Sequence, residues 1–538
     1  MAEEFMAQPG NARGAQRRGL VVLTAVGLAC FAVKALWYGQ RGSATFLEDF
    51  ADRIESKAIR QVGRRGRHAQ GDLVDAVAYA PPFVKGGEAL RMAQRFEAKR
   101  GQRRGRAHAA PQYWDAPIDH FTPGSKTFRQ KFYVESKYHE PGGPVFFELG
   151  GEGPVNGPPG GYIEHLAEQR RALLVFVEHR FYGDSVPNGN VDTENLRFLT
   201  VDQALADYAG FIDWYTSHAS LGDKTKWFAF GGSYPGALSS WFRAAYPNKT
   251  VGSLSSSGVV HAIFDFDKFD AHIAKAIGHE CACAHRRITK AFETAVLERG
   301  DREAFAKGLL GSPVDMSDGD FFYMLADGLA MMVQYGAKSR LCGNITKVSE
   351  EASSDEVMGN AAALIKEYWG EGFGSMCFYD TACLKDPARY EVGATDRSWR
   401  WQKCYELAYL QSAPKALHHE GVPLRSRLVN MTYLVDQCKE IFGSCGKELV
   451  NATRRVNAKF GGPQPVAERV FYSNFGDDPW LEASVMPAKD LGPNRPYEAA
   501  PCDDCGHCSD FRTPSATEPP EIQAVRARFE KYLDKWLA

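Results

Sequence analysis

The chain has 538 residues, of which 44% are apolar, 12% aromatic and 24% charged. This balance excludes wholesale disorder, a collagen-like repeat and a polytopic membrane protein, and the length allows several domains or one large core. Residues 1–110 hold 19 Lys and Arg against 10 Asp and Glu and therefore carry a net charge of +9. Because the whole chain has a net charge of −2, residues 111–538 carry −11. An acidic main part of the chain argues against a nucleic-acid-binding protein.

The first predicted element is an apolar segment that follows a cluster of arginines in the sequence. Residues 19–33 are 15 uncharged, mostly apolar residues directly after Arg17 and Arg18, a pattern typical of a secretory signal. Fifteen helical residues cover about 22 Å of the roughly 30 Å hydrocarbon core, whereas the stretch 19–38 is long enough to span it. A cleaved signal peptide and a single-pass anchor with residues 1–18 in the cytoplasm both remain open, and either one translocates the rest of the chain.

Sequons and cysteines agree with translocation. Four N-x-S/T sequons predict glycosylation at Asn248, Asn344, Asn430 and Asn451. Of the 12 cysteines, 11 follow the apolar segment; in an oxidising lumen most of these should pair, although sequence leaves the connectivity open and the odd number leaves at least one unpaired within the chain. We therefore expect a protein of the secretory pathway: lysosomal or vacuolar, extracellular, or membrane-anchored with the rest of the chain in the lumen.

After a basic linker or pro-segment (39–110), the pattern changes to strands alternating with helices. Residues 128–136 alternate like an antiparallel strand, and the short apolar runs 144–149, 172–177 and 226–230 are typical of buried strands. Amphipathic helices are predicted at 203–214 and from the Gly-rich corner after the last run through Tyr246. This alternation predicts a parallel sheet covered by helices.

Residues 265–460 have a different character, with long helical stretches such as 274–299 and 321–335 and most of the cysteines. Strand character returns at 468–472, and an amphipathic helix is predicted at 522–537. The sheet domain is thus predicted to consist of residues 111–264 and 461–538, interrupted by a helical insertion.

A nucleophile is predicted at Ser233. The segment W-F-A-F-G-G-S-Y-P-G sets this serine between a buried strand and a helix, as in the nucleophile elbow, where a tight turn lifts the hydroxyl above the sheet. The usual G-x-S-x-G motif has glycine where this chain has Pro235, so a plain helix N-cap at Ser233 is the alternative.

A serine nucleophile needs an imidazole base and a carboxylate that orients it, which on an α/β-hydrolase sheet follow the serine in the order Asp, His. Asp478 comes just after the strand at 468–472, and His507 comes 29 residues later, before the last helix. Asp477 is the rival for the carboxylate role, and an Asp-Pro pair can also be a simple turn. The His418-His419-Glu420 run lacks the i, i+4 spacing of a helical metal site and is interpreted as a solvated patch, so no metal site is predicted.

With these residues, the chain resembles the serine carboxypeptidase family that contains lysosomal Pro-Xaa carboxypeptidase, dipeptidyl peptidase II and thymus-specific serine protease, and it looks closest to the thymus-specific branch. The resemblance covers residues 112–538. It rests on these ordered blocks: D-H-F (119–121), G-G-E-G-P (150–154), E-H-R-F-Y-G (178–183), N-L-R-F-L-T-V-D-Q-A-L-A-D (195–207), G-G-S-Y-P-G (231–236), W-R-W-Q-K-C-Y-E (399–406), D-P-W (478–480) and G-H-C-S-D (506–510).

The resemblance implies an α/β-hydrolase fold with a helical cap between the nucleophile and the Asp and His of the triad. It carries the triad over as Ser233, Asp478 and His507, and its G-G-S-Y-x-G pattern tolerates Pro235. It further implies that the backbone amides of Tyr234 and Gly151 hold the oxyanion, and that Trp480 walls a pocket for the residue before the scissile bond, typically proline.

The predicted protein is therefore a secretory-pathway serine exopeptidase that cleaves peptides through an acyl-enzyme, by resemblance after proline, as a carboxypeptidase or a dipeptidyl peptidase. No metal or organic cofactor is expected. The expected partners are peptide substrates, the membrane if the anchor is uncleaved, and a second copy in a homodimer, with no nucleic acid. The alternatives are a lumenal thiol-disulfide oxidoreductase using the C-G-H-C run from Cys505 to Cys508, and a lipase or esterase of the same fold.

Overall fold

A twisted sheet lies at the centre of the structure, a computed structural model that describes residues 109–414, 423–443, 447–485 and 491–538. The strands, numbered along the chain, are β1 (Gln112–Pro117), β2 (Thr127–Glu135), β3 (Val145–Leu149), β4 (Leu173–Val177), β5 (Trp227–Gly232), β6 (Gly252–Ser256), β7 (Ile263–Asp265), β8 (Ala408–Leu410), β9 (Val470–Phe475) and β10 (Tyr497–Ala500). Eight of them form one sheet in the order β1-β2-β4-β3-β5-β6-β9-β10. β2 is antiparallel to β1 and to β4, the other neighbours are parallel, and β7 pairs with β8 in a separate parallel ladder.

Helices cover the sheet and build a large insertion. Their bounds are α1 (Gly161–Arg170), α2 (Val201–His218), α3 (Tyr234–Ala245), α4 (Lys268–Glu298), α5 (Gly300–Leu309), α6 (Asp318–Gln334), α7 (Lys338–Ile345), α8 (Ser354–Trp369), α9 (Thr381–Lys385), α10 (Thr395–Gln402), α11 (Met431–Phe442), α12 (Lys447–Phe460) and α13 (Pro520–Leu537). A π-helical turn, Lys403–Leu407, follows α10 directly. The predicted helical stretches at 203–214, 274–299, 321–335 and 522–537 fall within α2, α4, α6 and α13, give or take one residue at an end.

The strands β3, β4 and β5 are mostly apolar because helices bury both faces of the sheet. In β3, Phe146 packs with α1 and α13 on one face, whereas Phe147 packs with α2 on the other. Since successive side chains of a strand point to opposite faces, a continuous apolar run is what such a doubly covered strand requires. This explains why the runs at 144–149, 172–177 and 226–230 were sufficient to predict β3, β4 and β5.

The helical insertion lies between β6 and β9, which are neighbours in the sheet although more than 200 residues separate them. Nine helices of the described residues, α4 to α12, and the β7–β8 ladder lie in this interval. The α/β-hydrolase fold with a helical insertion between Ser233 and Asp478 is thereby confirmed. The division at residues 264 and 461 stays a prediction.

Some of the predicted features lie in parts of the chain that the structure does not describe. The apolar segment at 19–33, the basic segment up to residue 108 and the His418-His419-Glu420 run lie outside the described residues. In the part of the chain that the structure does describe, no helix combines the length and the hydropathy needed to cross a bilayer.

The edge strand β10 was not predicted, because Tyr497–Ala500 is short, carries a glutamate and is only partly buried.

Candidate active site

The turn between β5 and α3 holds Ser233 in a backbone conformation that non-glycine residues rarely adopt, with φ 64° and ψ −128°. Glycines make this turn possible. A Cβ at Gly231 would collide with the carbonyl of Pro235, and one at Gly236 would lie 2.8 Å from the Cα of Gly258. Strained backbone of this kind persists only where the surrounding structure enforces it, and it is the geometry of a nucleophile elbow. Pro235 takes the second position of α3, where its missing N–H is no loss.

Asp478 and His507 lie in contact although 29 residues separate them. The Nδ1 atom of His507 is 2.6 Å from Oδ2 of Asp478, and both side chains are buried. The other carboxylate oxygen of Asp478 accepts the backbone N–H of Trp480 at 2.9 Å. Both atoms of the carboxylate are therefore fixed, and the carboxylate fixes the imidazole ring.

The surroundings of His507 favour its protonated form. Burial opposes the charge, but the Asp478 carboxylate and the neighbouring Cys508 sulfur outweigh it and raise the pKa of His507 well above its ordinary value. Nε2 is buried and has no hydrogen-bond partner among the described residues, so it is the ring nitrogen open to a further group. The backbone N–H of His507 donates to the carbonyl of Gln334 at the end of α6, 2.5 Å away.

The loop that carries His507 is attached to the serine elbow through β6. The carbonyl of Ser256 accepts the backbone N–H of Ser233 at 2.9 Å and the Cys508 thiol at 3.6 Å. The backbone N–H of Cys508 donates to Ser257 Oγ at 3.0 Å, and a Cβ at Gly232 would lie 3.0 Å from the Cys508 sulfur. Gly232 and Cys508, which are in contact, are the chain neighbours of Ser233 and His507. Ser233 and His507 are thus brought to the same edge of the sheet.

A second loop lies against the elbow. It follows β3, and a Cβ at Gly151 would collide with the ring of Pro235. The carbonyl of the preceding residue, Gly150, accepts the Tyr208 hydroxyl of α2 at 2.7 Å. The structure therefore places Gly151 beside the first turn of α3, where the Tyr234 backbone begins.

Trp480 lies beside His507 in an aromatic group that includes residues of the insertion. Its ring centroid is 6.4 Å from that of His507, and 5.5, 5.3 and 5.5 Å from those of Phe266, Phe269 and Tyr409. The indole N–H donates to Oε1 of Gln334 at 3.0 Å. One side of the site is consequently apolar and aromatic.

The side chain of Asp477 has different hydrogen-bond partners from that of Asp478. Its oxygens accept Nζ of Lys338 at 3.0 Å and the backbone N–H of Asp504 at 2.8 Å. Lys338 also binds Asp503 at 2.6 Å, so a lysine of α7 ties the loop of Asp478 to the loop of His507. The rival carboxylate is therefore engaged in holding loops together.

The structure describes four disulfides: Cys281–Cys342, Cys377–Cys383, Cys404–Cys438 and Cys502–Cys505. Cys283 and Cys508 are free thiols, and Cys445 lies outside the described residues. Cys505 pairs with Cys502 rather than with Cys508, so the oxidoreductase alternative lacks its disulfide. Within the described ranges no group of three or more His, Cys, Asp or Glu side chains is arranged to hold a metal ion.

The sequons differ in their surroundings. Asn248, Asn430 and Asn451 are exposed, whereas Asn344 is half-buried and donates to the carbonyl of Arg340 within α7. The Asn430 side chain caps α11 by accepting the backbone N–H of Tyr433.

Several residues at the site were not singled out from the sequence. Gln334 contacts both His507 and Trp480, while Gln402 and His179 contact Tyr234. Gln402 and His179 belong to the W-R-W-Q and E-H-R blocks, which were noted only as resemblance; Gln334 had no sequence signal.

The chain is similar to known serine peptidases. The model of the family described as serine carboxypeptidase S28 matches residues 116–529. The "Probable serine protease EDA2" of Arabidopsis thaliana is 33% identical, over 79% of this chain and 88% of that protein. The mouse "Thymus-specific serine protease" is 28% identical, over 79% and 86%, and the Pongo abelii "Lysosomal Pro-X carboxypeptidase" is 26% identical, over 79% and 88%. The chain is a serine-type peptidase and belongs to the serine carboxypeptidase S28 family.

Proposed function

We propose that Ser233, His507 and Asp478 are the catalytic triad of this peptidase. The observation that carries the assignment is the 2.6 Å contact between the His507 and Asp478 side chains on a loop bound to the strained elbow of Ser233. Asp478 holds the proton on Nδ1, which leaves Nε2 free to take the proton of the serine hydroxyl as it attacks the peptide carbonyl. The same imidazolium then protonates the leaving amine, and water releases the acyl group by the reverse steps.

The negative oxygen of the tetrahedral intermediate would bind to the backbone amides of Tyr234 and Gly151. The close approach of Gly151 to the Pro235 ring supports this pairing, because it brings the loop after β3 to the start of α3. Fixed amides at this position stabilise charge that develops only in the transition state.

The substrates are proposed to be peptides with proline before the scissile bond. Trp480, which packs against Phe266, Phe269 and Tyr409, has its ring centroid 6.4 Å from that of His507, and a flat apolar side chain at this position suits a pyrrolidine ring. Phe266, Phe269 and Tyr409 lie between β6 and β9, so the helical insertion contributes to this side of the site. One relative bears the name "Lysosomal Pro-X carboxypeptidase", which agrees with the proposal.

A labelling experiment tests the triad. The full-length enzyme should react covalently with a fluorophosphonate probe, and Ser233→Ala should lose the label. Ser375→Ala, a change of an exposed serine in the insertion, should keep it. Label that persists in Ser233→Ala would refute the nucleophile assignment.

Paired substrates test the specificity. A free-amino Xaa-Pro-reporter is compared with a blocked peptide ending in Pro-Xaa, each with an alanine counterpart. Cleavage of one proline substrate well above its alanine counterpart is expected, and it tells a dipeptidyl peptidase from a carboxypeptidase. Equal cleavage of proline and alanine substrates would refute the proline preference and leave the triad intact.

A further inference from the structure

The hydroxyl of Tyr234, the residue after Ser233, lies inside a buried chain of hydrogen bonds. Nε2 of Gln402 donates to this hydroxyl at 2.8 Å, and Nε2 of His179 lies 3.2 Å from it. The hydroxyl of Tyr182 donates to Oε1 of Gln402 at 2.6 Å. All four side chains are buried. A buried polar network of this kind is worth most when every member has a partner, and it then holds its members in one arrangement.

The direction of each hydrogen bond follows from the chemistry of the partners. Nδ1 of His179 lies 2.7 Å from the carbonyl oxygen of Arg180, which can only accept, so Nδ1 carries the hydrogen and Nε2 accepts. Burial lowers the pKa of His179 to about 4, which keeps the ring neutral near pH 7. The Tyr234 hydroxyl consequently donates to His179 and accepts from Gln402. Neither role can be exchanged without breaking a bond.

Three parts of the fold meet at this hydroxyl. His179 follows β4, Tyr234 begins α3 directly after the nucleophile, and Gln402 is the last residue of α10 in the helical insertion. The ring of Trp399, also on α10, is 5.5 Å from the Tyr234 ring. Residues of the insertion therefore touch the elbow itself rather than only the rim of the site.

The position of the Tyr234 amide matters because an oxyanion donor works only within about 2.7–3.1 Å of the developing charge. Anchoring the tyrosine at its far end restrains the rotation of its backbone. We propose that Gln402 is a positioning residue that, through the Tyr234 hydroxyl, holds the Tyr234 amide at the oxyanion hole, so that the helical insertion completes the catalytic site. This inference rests on the proposed function of Ser233 and Tyr234.

The test uses the full-length enzyme and three variants. Gln402→Leu removes the amide at similar volume, Tyr234→Phe removes only the hydroxyl, and the third variant combines both. For each single variant we expect kcat to fall roughly 10- to 100-fold, less than the loss of a whole oxyanion donor, with KM within about threefold. Affinity for a peptide boronate, which forms the tetrahedral adduct, should fall in parallel with kcat.

The combined variant distinguishes positioning from general damage. Because Gln402 acts through the Tyr234 hydroxyl, the double variant should be no slower than the slower single variant, whereas independent effects would multiply. Gln437→Leu is the matched control: it removes another buried glutamine of the insertion, whose amide binds Asp320 and Thr381, and should leave the boronate affinity unchanged.

Two outcomes separate this inference from the proposed function. A wild-type enzyme that a fluorophosphonate does not label at Ser233 would refute the function and the inference together. A wild-type enzyme that is labelled and active, with Tyr234→Phe and Gln402→Leu at wild-type kcat, or with multiplied effects in the double variant, would refute the inference alone. Should Gln402→Leu fail to fold, kcat and boronate affinity of Tyr234→Phe decide.

Discussion

Asp477 and Asp478 are neighbours in the chain, but their carboxylates have different surroundings. Asp478 is fully buried and faces His507, whereas Asp477 faces Lys338 and the backbone of Asp504. Burial raises the pKa of Asp477, and Lys338 counteracts part of that rise. A difference of one position along the chain thus separates a group that orients the imidazole from one that connects loops.

Replacing Asp478 by asparagine should slow the enzyme and change its pH profile. Asparagine donates toward Nδ1 and so favours the wrong tautomer of His507, which predicts a fall in kcat of about 10⁴-fold, as for the corresponding change in other triads. Only neutral His507 accepts the serine proton, and Asp478, together with the Cys508 sulfur, raises its pKa against the effect of burial. The acid limb of kcat/KM should therefore move to lower pH in Asp478→Asn.

Asp477→Asn is the matched control for that experiment. It keeps the size of the side chain and loses only the ion pair with Lys338, so its kcat should change less than tenfold and its acid limb should stay in place. Equal losses in the two variants, or an acid limb that moves to higher pH in Asp478→Asn, would contradict the assignment.

The sequence allowed candidate residues to be chosen where the chemistry of the side chain is distinctive. Ser233, Asp478 and His507 could be chosen because a strand–Gly–Gly–Ser–helix context and the Ser, Asp, His order restrict the candidates. Gln402 could not, since its function depends on a hydrogen bond to a tyrosine 168 positions away. A glutamine at the end of a helix has no local pattern that reveals such a partner.

Disulfides brace the helical elements of the insertion over very different lengths of chain. Cys281–Cys342 joins α4 to α7 across 61 residues, whereas Cys377–Cys383 spans six. Closing a longer loop removes more conformational entropy from the unfolded chain. The two bridges are therefore unequal contributors to stability.

Urea unfolding of two double variants should reveal this difference. In the chain-entropy description, Cys281→Ser with Cys342→Ser should lose about 4 kcal/mol of unfolding free energy, and Cys377→Ser with Cys383→Ser about 2 kcal/mol. Cys283→Ser, a change of the exposed free thiol, serves as the control and should leave the transition midpoint unchanged. A larger loss from the six-residue bridge would contradict the expectation.

Strands were predictable where burial on both faces coincides with an apolar run. The strands β3, β4 and β5 are mostly apolar runs, while β10 is a short edge strand that pairs with β9. α4 begins six residues before its predicted start and continues past Gly278, whose φ of 75° interrupts the helix. Tertiary packing, which no local window contains, decides such cases.

On the scale of the whole molecule, loops that follow β3, β5, β9 and β10 meet at one edge of the sheet. Parallel strands make this possible, because their carboxyl ends lie on the same side. The sequence predicted the fold class from the alternation of strands and helices. It could not predict which cysteines pair, because the pairing depends on how α4, α7 and α11 pack.

The glycosylation of the chain reports its route through the cell. If residues 19–38 direct translocation, the expressed protein should carry N-glycans, and Asn248 and Asn451 are the sites we expect to be occupied most fully, because both are exposed and no contact described in the structure engages their side chains. Glycan transfer at Asn430 or Asn344 would modify the amide nitrogen that donates to the carbonyl of Arg427 or of Arg340.

Endoglycosidase treatment followed by gel electrophoresis and peptide mass spectrometry measures this occupancy. The change in electrophoretic mobility on deglycosylation should decrease most in the variant that combines Asn248→Gln and Asn451→Gln. It should be absent when residues 19–38 are deleted. Asn344→Gln is the matched single change and should leave the shift nearly unaltered. Glycans on the deletion variant would contradict the targeting role of residues 19–38, and occupancy confined to Asn344 would contradict the argument from exposure.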